Sequence, residues 1–388
     1  MTRTQLFIFR PTLGQGGADR NTLILMEQLD RELFTLSLVL MRKEGELIGD
    51  IPADVRVHEL HARSLWTAWW PLLRLLRRHR PAVLLSTSSG ANLAAALAHT
   101  LVFAPGRLVL SERNLVGHGE RTLKRRLQTQ LKRVLYRFAD SVTVVSEGLK
   151  RDVVENLGVR EERIAVVYNP VVDAHLRQAS VQPVAHPWFA QDVPVVLAVG
   201  RLVPQKDYKT LLRACKIVRA QRRVRLLVLG EGPLRPELLA LARELGLGDD
   251  DVAFPGFDKN PFRYMSRCAV FVSSSLHEGL AGSLIQAMAC GAAVVATDCP
   301  HGPREIITEP GRDGILTAVA DEVALAGHIG ALLDDPAARR SMGERARASA
   351  ERFAAPAITK RYTAAILGPL TGAAPSHAGA GARAGGVS

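Results

Sequence analysis

The 388-residue chain has only four cysteines, Cys215, Cys268, Cys290 and Cys299, scattered through apolar stretches and never in C-x-x-C spacing. No disulfide framework or dithiol motif can be built from them, and buried free thiols in a reducing compartment are expected. Long apolar runs are also missing. The longest, Ala91–Phe103, is interrupted by His99 and falls short of the ~20 residues a membrane-spanning helix needs. Nor does the start read as a secretory signal, because Leu6–Phe9 is broken by Arg10 and Pro11 and runs into glycines. Acidic residues are absent between Glu59 and Glu112 and again between Glu120 and Asp140. The net charge is +12, of which residues 1–178 carry +8. Such a surface attracts phosphates, whether of nucleic acid, anionic lipid or a sugar diphosphate. A pI near 10.0 keeps a nucleic-acid-binding protein as a rival. No RRM, helix-turn-helix or zinc signature supports it, and no nucleic-acid partner is expected.

What is present is alternation. Short apolar segments at Gln5–Phe9, Leu36–Leu40, Val55–Leu60, Ala82–Ser86, Arg107–Ser111, Ser141–Val145 and Ile164–Tyr168 read as strands. A second series follows at Val195–Gly200, Arg225–Gly230, Val252–Phe254, Ala269–Ser273 and Ala293–Thr297. Amphipathic stretches between them, near Tyr208–Ala220 and Leu234–Leu245, predict helices, and the chain after Thr317 reads as helical throughout. Strands alternating with helices predict two parallel, doubly wound α/β sheets, and the length is too great for one ordinary core. The rhythm fails at Asn169–Val193, rich in proline and polar residues, which marks an interdomain linker. Expected bounds are 1–178 for the first domain, 190–355 for the second, a returning helix over 356–367 and a disordered Ala/Gly-rich tail over 368–388.

The segment SSSLHEGLAGSLIQAMACGAAVVATDCPHGPREI, from Ser273, reads as strand, loop, helix and strand, with Glu278 and Gly279 in the loop. Open α/β sheets bind ligands at the carboxyl ends of strands, where helix-start N–H groups can hold phosphate. An ordinary crossover whose glycines close turns fits the pattern alone equally well. In VGRLVPQKDYKTLLRA, Arg201 and Lys206 follow a strand ending at Gly200, and two such cations can neutralise a diphosphate leaving group. Gly14, Gly16 and Gly17 precede a helix from Asp19, and Gly230 and Gly232 allow a tight strand-to-helix turn. Asp249–Asp251 has D-x-D spacing but sits between helix and strand, as a solvated turn would.

Together HEG, QAMACG, AVVATD and CPHGPREI, the GR…K of Gly200, Arg201 and Lys206, the GGAD at Gly16, the LGEGP at Leu229 and the FPGF at Phe254 resemble the family 4 glycosyltransferases of the GT-B fold, over roughly residues 1–367. The resemblance implies two Rossmann-like domains facing a cleft, with a C-terminal helix crossing back to the first. It also implies a retaining enzyme, with no cofactor or metal, that uses a nucleotide sugar, UDP-linked rather than GDP-linked. Its acceptor would be a saccharide or a lipid-linked one in cell-surface polysaccharide or glycolipid assembly. Glu278, Arg201 and Lys206 would be catalytic. Gly16, Gly17, Gly200, Gly230, Gly256, Phe257, Gly279, Leu280 and Gln286 would bind the donor. Arg113, Asn114 and His118 would lie on the acceptor and sugar side. Two departures stand out. The family's pair of glutamates separated by seven residues is here Glu278 and Gln286, and Arg113 replaces a histidine in SERN. A non-catalytic homologue and a sugar-nucleotide epimerase of the same fold remain as rivals.

Leu123, Leu127, Leu131, Val134, Leu135 and Phe138 recur at helical spacing among Arg121, Lys124, Arg125, Arg126, Lys132, Arg133 and Arg137. With Trp66, Trp69, Trp70, Arg74, Arg77, Arg78 and Arg80 they read either as a peripheral membrane surface or as core-facing helices with basic backs. A cytoplasmic protein, peripheral on the inner face of the cytoplasmic membrane in the first case, is expected.

Overall fold

The computed structural model describes residues 3–14, 16–102, 106–116 and 123–368, with side chains in the last stretch from Arg126 onward. Seven strands form the first sheet: β1 Thr4–Arg10, β2 Phe34–Leu40, β3 Arg56–Glu59, β4 Val83–Ser86, β5 Arg107–Glu112, β6 Ser141–Val144 and β7 Ile164–Val166. Their order is β3-β2-β1-β4-β5-β6-β7, and every pairing is parallel. The second sheet holds β8 Val195–Val199, β9 Arg225–Leu229, β10 Val252–Gly256, β11 Val270–Ser273, β12 Val294–Thr297 and β13 Ile315–Thr317, in the order β10-β9-β8-β11-β12-β13, again all parallel. These strands are valine- and leucine-rich because helices cover both faces of each sheet; all five residues of β9 are buried.

In each sheet the strand order reverses direction once, between β1 and β4 and between β8 and β11. Crevices open at such reversals, so the loops leaving β1, β8 and β11 are placed where a ligand can enter. The returning helix is present at Ala355–Leu367. Its Ile358, Tyr362, Ala365 and Ile366 are buried in one cluster with Leu6, Leu36 and Val109 of the first sheet. The chain crosses back beside Val172: Val171 and Val172 N–H groups donate to the Phe353 carbonyl at 3.3 and 3.2 Å, and Ala355 N donates to Val172 O at 2.8 Å.

Three elements depart from the sequence reading. The stretch read as a linker contains a helix, Ala174–Ser180, because Asp173 caps it by accepting from Leu176 N at 2.7 Å. Ala91–Val102, read only as an apolar run, is a helix packed across the first sheet. Ile315–Thr317 adds an edge strand too short to show a pattern. Among the described residues, no helix is long and apolar enough to cross a membrane.

All four cysteines are free. Burial pushes the Cys215, Cys290 and Cys299 thiols up to about 12, and it raises Cys268 as well. At pH 8 a thiol at 12 is ionised on the order of one part in ten thousand. Iodoacetamide at pH 8 is therefore expected to leave the native protein unmodified and to label all four sites after denaturation. Rapid native labelling, read by mass spectrometry, would contradict this burial.

Candidate active site

The second sheet's reversal brings two loops together. After β8, Gly200 and Arg201 lead into a 3₁₀ turn at Pro204–Lys206, and Asp207 caps the helix Tyr208–Gln221, its carboxylate accepting from Thr210 N at 3.4 Å and from Thr210 Oγ1 at 2.7 Å. After β11 runs the loop Ser274–Leu280. Hydrogen bonds knit the two. Leu276 N donates to Gln205 O at 2.8 Å, Gln205 Nε2 to His277 O at 2.8 Å, and Ser274 Oγ to Lys206 O at 2.8 Å. The product is a short ion pair, with Lys206 Nζ 2.5 Å from Glu278 Oε1. Ser275 Oγ donates to the same oxygen at 2.6 Å. Glu278 is 6% exposed, so its charge has left water and depends on these two donors. Arg201 is exposed, and its guanidinium makes no hydrogen bond or ion pair among the described residues. Burial, and next the Glu278 charge, raise the nearby Tyr208 hydroxyl, which stays protonated.

Glycine shapes the floor. Gly230 follows β9 at φ +145°, and a Cβ there would lie 2.0 Å from the Gly200 carbonyl. Gly200 N donates to Leu229 O at 3.0 Å and Gly230 N to Gly256 O at 2.8 Å, so three strand ends stack without side chains between them. Leu280 is buried, whereas Phe257 is 46% exposed. Gln286 is half-buried on the helix Gly282–Ala289, with its amide unbonded among the described residues.

On the first sheet, Gly16 and Gly17 open the helix Gly17–Gln28. Beneath them Arg10 is buried against Asp19 and donates to Thr22 Oγ1 at 2.8 Å and Thr87 Oγ1 at 3.1 Å. Burial, partly offset by Asp19, lowers its guanidinium to about 10. Arg113, just past β5, is buried too and reaches the Ala18 carbonyl at 3.3 Å and the Tyr362 hydroxyl at 3.5 Å. Its side chain thus ties the glycine loop to the returning helix. Asn114 Nδ2 donates to Ser89 Oγ at 3.4 Å. His118 lies outside the described residues.

The two sheets meet at their carboxyl ends. A Cβ on Gly279 would lie 2.5 Å from the Arg113 carbonyl, so only glycine lets the Glu278 loop touch the β5 loop. Next to it, Glu305 of the second sheet caps the helix Glu147–Leu157 of the first: its carboxylate accepts from Glu147 N at 2.8 Å and Gly148 N at 2.9 Å. Tyr168 donates to Glu305 at 3.3 Å, and burial together with that carboxylate pushes the phenol up to about 12.

Two family models divide the chain between them, one described as Glycosyltransferase Family 4 over residues 15–175 and one as Glycosyl transferases group 1 over residues 193–335. The chain belongs to the family 4 glycosyltransferases of the GT-B fold. An N-acetylgalactosamine-N,N'-diacetylbacillosaminyl-diphospho-undecaprenol 4-alpha-N-acetylgalactosaminyltransferase of Campylobacter jejuni is 32% identical over 61% of this chain and 62% of that one. The lipopolysaccharide core biosynthesis glycosyltransferase LpsD of Rhizobium meliloti is 34% identical over 44% and 48%. The chain thus spans less than two thirds of the length of these curated relatives. Among solved structures, Anabaena Alr3699/HepE in complex with UDP and glucose matches with a TM-score of 0.78 at 20% identity, over 93% of this chain and 98% of that one. The apo lipopolysaccharide outer core galactosyltransferase WaaB matches at 0.70 and 20%, over 94% and 99%. At such identities the likeness is one of fold.

In this family 4 chain, then, the structure joins Glu278, Lys206, Gly200, Gly230, Gly256, Gly279 and Leu280 at one sheet reversal, with Arg201 beside them. No hydrogen bond brings Gln286 to them. Among the described residues no group of three or more His, Cys, Asp or Glu is placed to hold a metal. Asp251 is taken up by Arg219 at 2.5 Å and by Gly248 N at 3.1 Å, as a turn requires. Sequence reasoning missed Glu305 and Arg10. The N-terminus of Glu147–Leu157 is a favourable place for an anion, and the one that sits there, Glu305, lies more than 150 residues away in sequence. Glu305→Ala removes three hydrogen bonds to a charged group, from Glu147 N, Gly148 N and the Tyr168 hydroxyl, each worth ~1.5–3 kcal/mol. A lower Tm and a larger radius of gyration by small-angle scattering are expected; wild-type values for both would show that Glu305 does not hold the sheets together.

Proposed function

We propose that this chain is a retaining glycosyltransferase that moves a hexosyl or N-acetylhexosaminyl group from a nucleotide sugar, UDP-linked rather than GDP-linked, to a saccharide or lipid-linked acceptor in cell-surface polysaccharide or glycolipid assembly. The observation that carries it is the buried Glu278 held by Lys206 at the β8–β11 reversal, with exposed Arg201 alongside. Support comes from relatives whose names specify lipopolysaccharide core and diphospho-undecaprenol substrates, and from a fold neighbour solved with UDP and glucose.

In this reading residues 190–355 carry the donor and residues 1–178 the acceptor. Arg201 and Lys206 hold the diphosphate. The bond from the anomeric carbon to the phosphate oxygen breaks as charge moves onto the phosphate, and the acceptor oxygen bonds to that carbon on the same face. The acceptor proton goes to the departing phosphate oxygen, so both products leave balanced. Glu278 stabilises positive charge developing on the sugar. The Gln286 amide meets the ribose hydroxyls with one acceptor and one donor group where a carboxylate would offer two acceptors. No metal is required.

A membrane surface fits the same domain. Trp66 and Trp70 are 53% and 46% exposed on a helix whose Arg74, Arg77 and Arg78 are exposed too. The apolar stripe of the helix Leu123–Leu135 splits in two: Leu131 and Leu135 turn inward, while Leu127 and Val134, with Phe138 beyond them, face out among Arg126 and Arg137. Apolar and basic side chains together suit an anionic leaflet.

Two measurements test the reading. Thermal shifts across UDP- and GDP-sugars should show stabilisation by the uridine series, about 2.7 kcal/mol at 100 Kd. Arg201→Ala and Lys206→Ala should each lower kcat/KM by roughly 10- to 100-fold, the loss of one bond to a charged group. Near-normal kcat/KM in both variants would remove the diphosphate assignment. Donor binding without transfer would select the non-catalytic homologue, and a new sugar epimer formed without acceptor would select the epimerase.

A further inference from the structure

A cavity of about 460 Å³ lies in the first domain between the helices Leu65–His79, Ala91–Val102 and Leu123–Leu135, within the size range of small-molecule sites. Trp66, Trp69, Leu93, Leu97, Leu131 and Leu135 form its walls. Glu112 and Asn114 enter it from the carboxyl end of β5, and Lys132 from the third helix. The Glu112 side chain is fully buried. Its Oε2 accepts from Lys132 Nζ at 2.8 Å and from Tyr136 Oη at 2.6 Å, and Asn92 Nδ2 donates to Tyr136 Oη at 2.9 Å. Glu112 Oε1 has no hydrogen-bond partner among the described residues.

A buried carboxylate oxygen without a donor is costly, and such groups call for an explanation. Beside it Lys132 has three N–H groups, of which Glu112 takes one. Glu112 and Lys132 both line the cavity, so an unpartnered acceptor and spare donors belong to one part of its wall. A hydroxyl satisfies both at once, giving its proton to the carboxylate and accepting from the ammonium. A secondary amide turns its N–H and C=O to opposite edges, and an anionic group meets an unscreened carboxylate oxygen. The tryptophan and leucine walls suit the C–H faces of a ring. Arg113, between the lining residues Glu112 and Asn114, carries the carbonyl that abuts Gly279, so two residues of the cavity wall are next in sequence to the contact with the Glu278 loop.

We propose that this cavity is the subsite for a neutral, hydroxyl-bearing sugar ring of the acceptor, with Glu112 and Lys132 gripping one hydroxyl and Trp66 and Trp69 covering the ring. The ring's part as acceptor rests on the transferase reading above; its chemistry follows from the cavity. Saturation-transfer NMR on the full chain tests it, using the methyl glycosides of glucose, galactose and their 2-acetamido forms, with 1-octanol as a probe that has a hydroxyl and an apolar chain but no ring. Ring-proton signals are expected with wild type and with Gln130→Ala, an exposed position outside the cavity. Glu112→Gln should weaken binding about tenfold, the size of one hydrogen bond to a charged group. Trp66→Ala, at an exposed position that the fold tolerates, should weaken it as well. Glycoside signals unchanged in both variants would overturn the proposal, as would contact by octanol alone. UDP thermal shifts on the same samples report the donor side separately. Glycoside binding without UDP binding would leave this site standing and remove the transferase reading.

Discussion

A carboxylate cannot be buried at a sheet reversal without a cation, and the loops after β8 and β11 are arranged around that requirement. Glu278 sits 2.5 Å from Lys206, and the hydrogen bonds that cross between the two loops hold both side chains in place. The pair has a chemical consequence. Lys206 lies against Gly200 at the strand end where the proposed diphosphate would sit, and Glu278 is already its counter-ion. A ligand phosphate must compete with that carboxylate, while exposed Arg201 stays available from the start. In the proposed function, attraction for the diphosphate and charge for the sugar are set against each other within one contact.

The same strand ends decide how the two sheets meet. Gly279 lets the Glu278 loop rest on the Arg113 carbonyl, and Glu305 closes the neighbouring gap by capping a helix of the opposite sheet. Tyr362 on the returning helix reaches Arg113 from behind. The second sheet therefore meets the first through a backbone contact at Gly279 and a carboxylate cap at Glu305. Beyond the contact lies the cavity at Glu112, on the face where the basic, tryptophan-bearing helix Leu65–His79 is exposed.

Much of this was readable beforehand, for physical reasons. Most strands are buried on both faces and so read as continuous apolar runs; the edge strand Arg56–Glu59 showed only through its buried neighbours Val55 and Leu60, and Ile315–Thr317 was too short to show at all. Arg201, Lys206, Glu278 and Gly279 stood out because they lie within a few residues of strand ends and match the family's motifs. What stayed hidden depended on partners distant in sequence. Glu305 joins Glu147 and Gly148, Arg10 joins Thr87, and Glu112 joins Lys132 and Asn92 through Tyr136; no local spacing encodes such pairs. The helix Ala91–Val102 was opaque because an alanine-rich stretch, buried on most sides, shows no polar face. Leu127, Val134 and Phe138 share a periodicity with Leu131 and Leu135, yet they face water, because helical spacing does not say which side the core is on.

The competition between Glu278 and a ligand phosphate for Lys206 is directly measurable. Titration calorimetry with UDP, which has the diphosphate but no sugar, should give tighter binding to Glu278→Gln than to wild type. The expected gain is several-fold, on the order of 1 kcal/mol for relief of one carboxylate near the phosphate, and sugar transfer by the same variant should fall sharply. UDP binding that is unchanged or weaker in Glu278→Gln, with transfer retained, would contradict a site built on that ion pair.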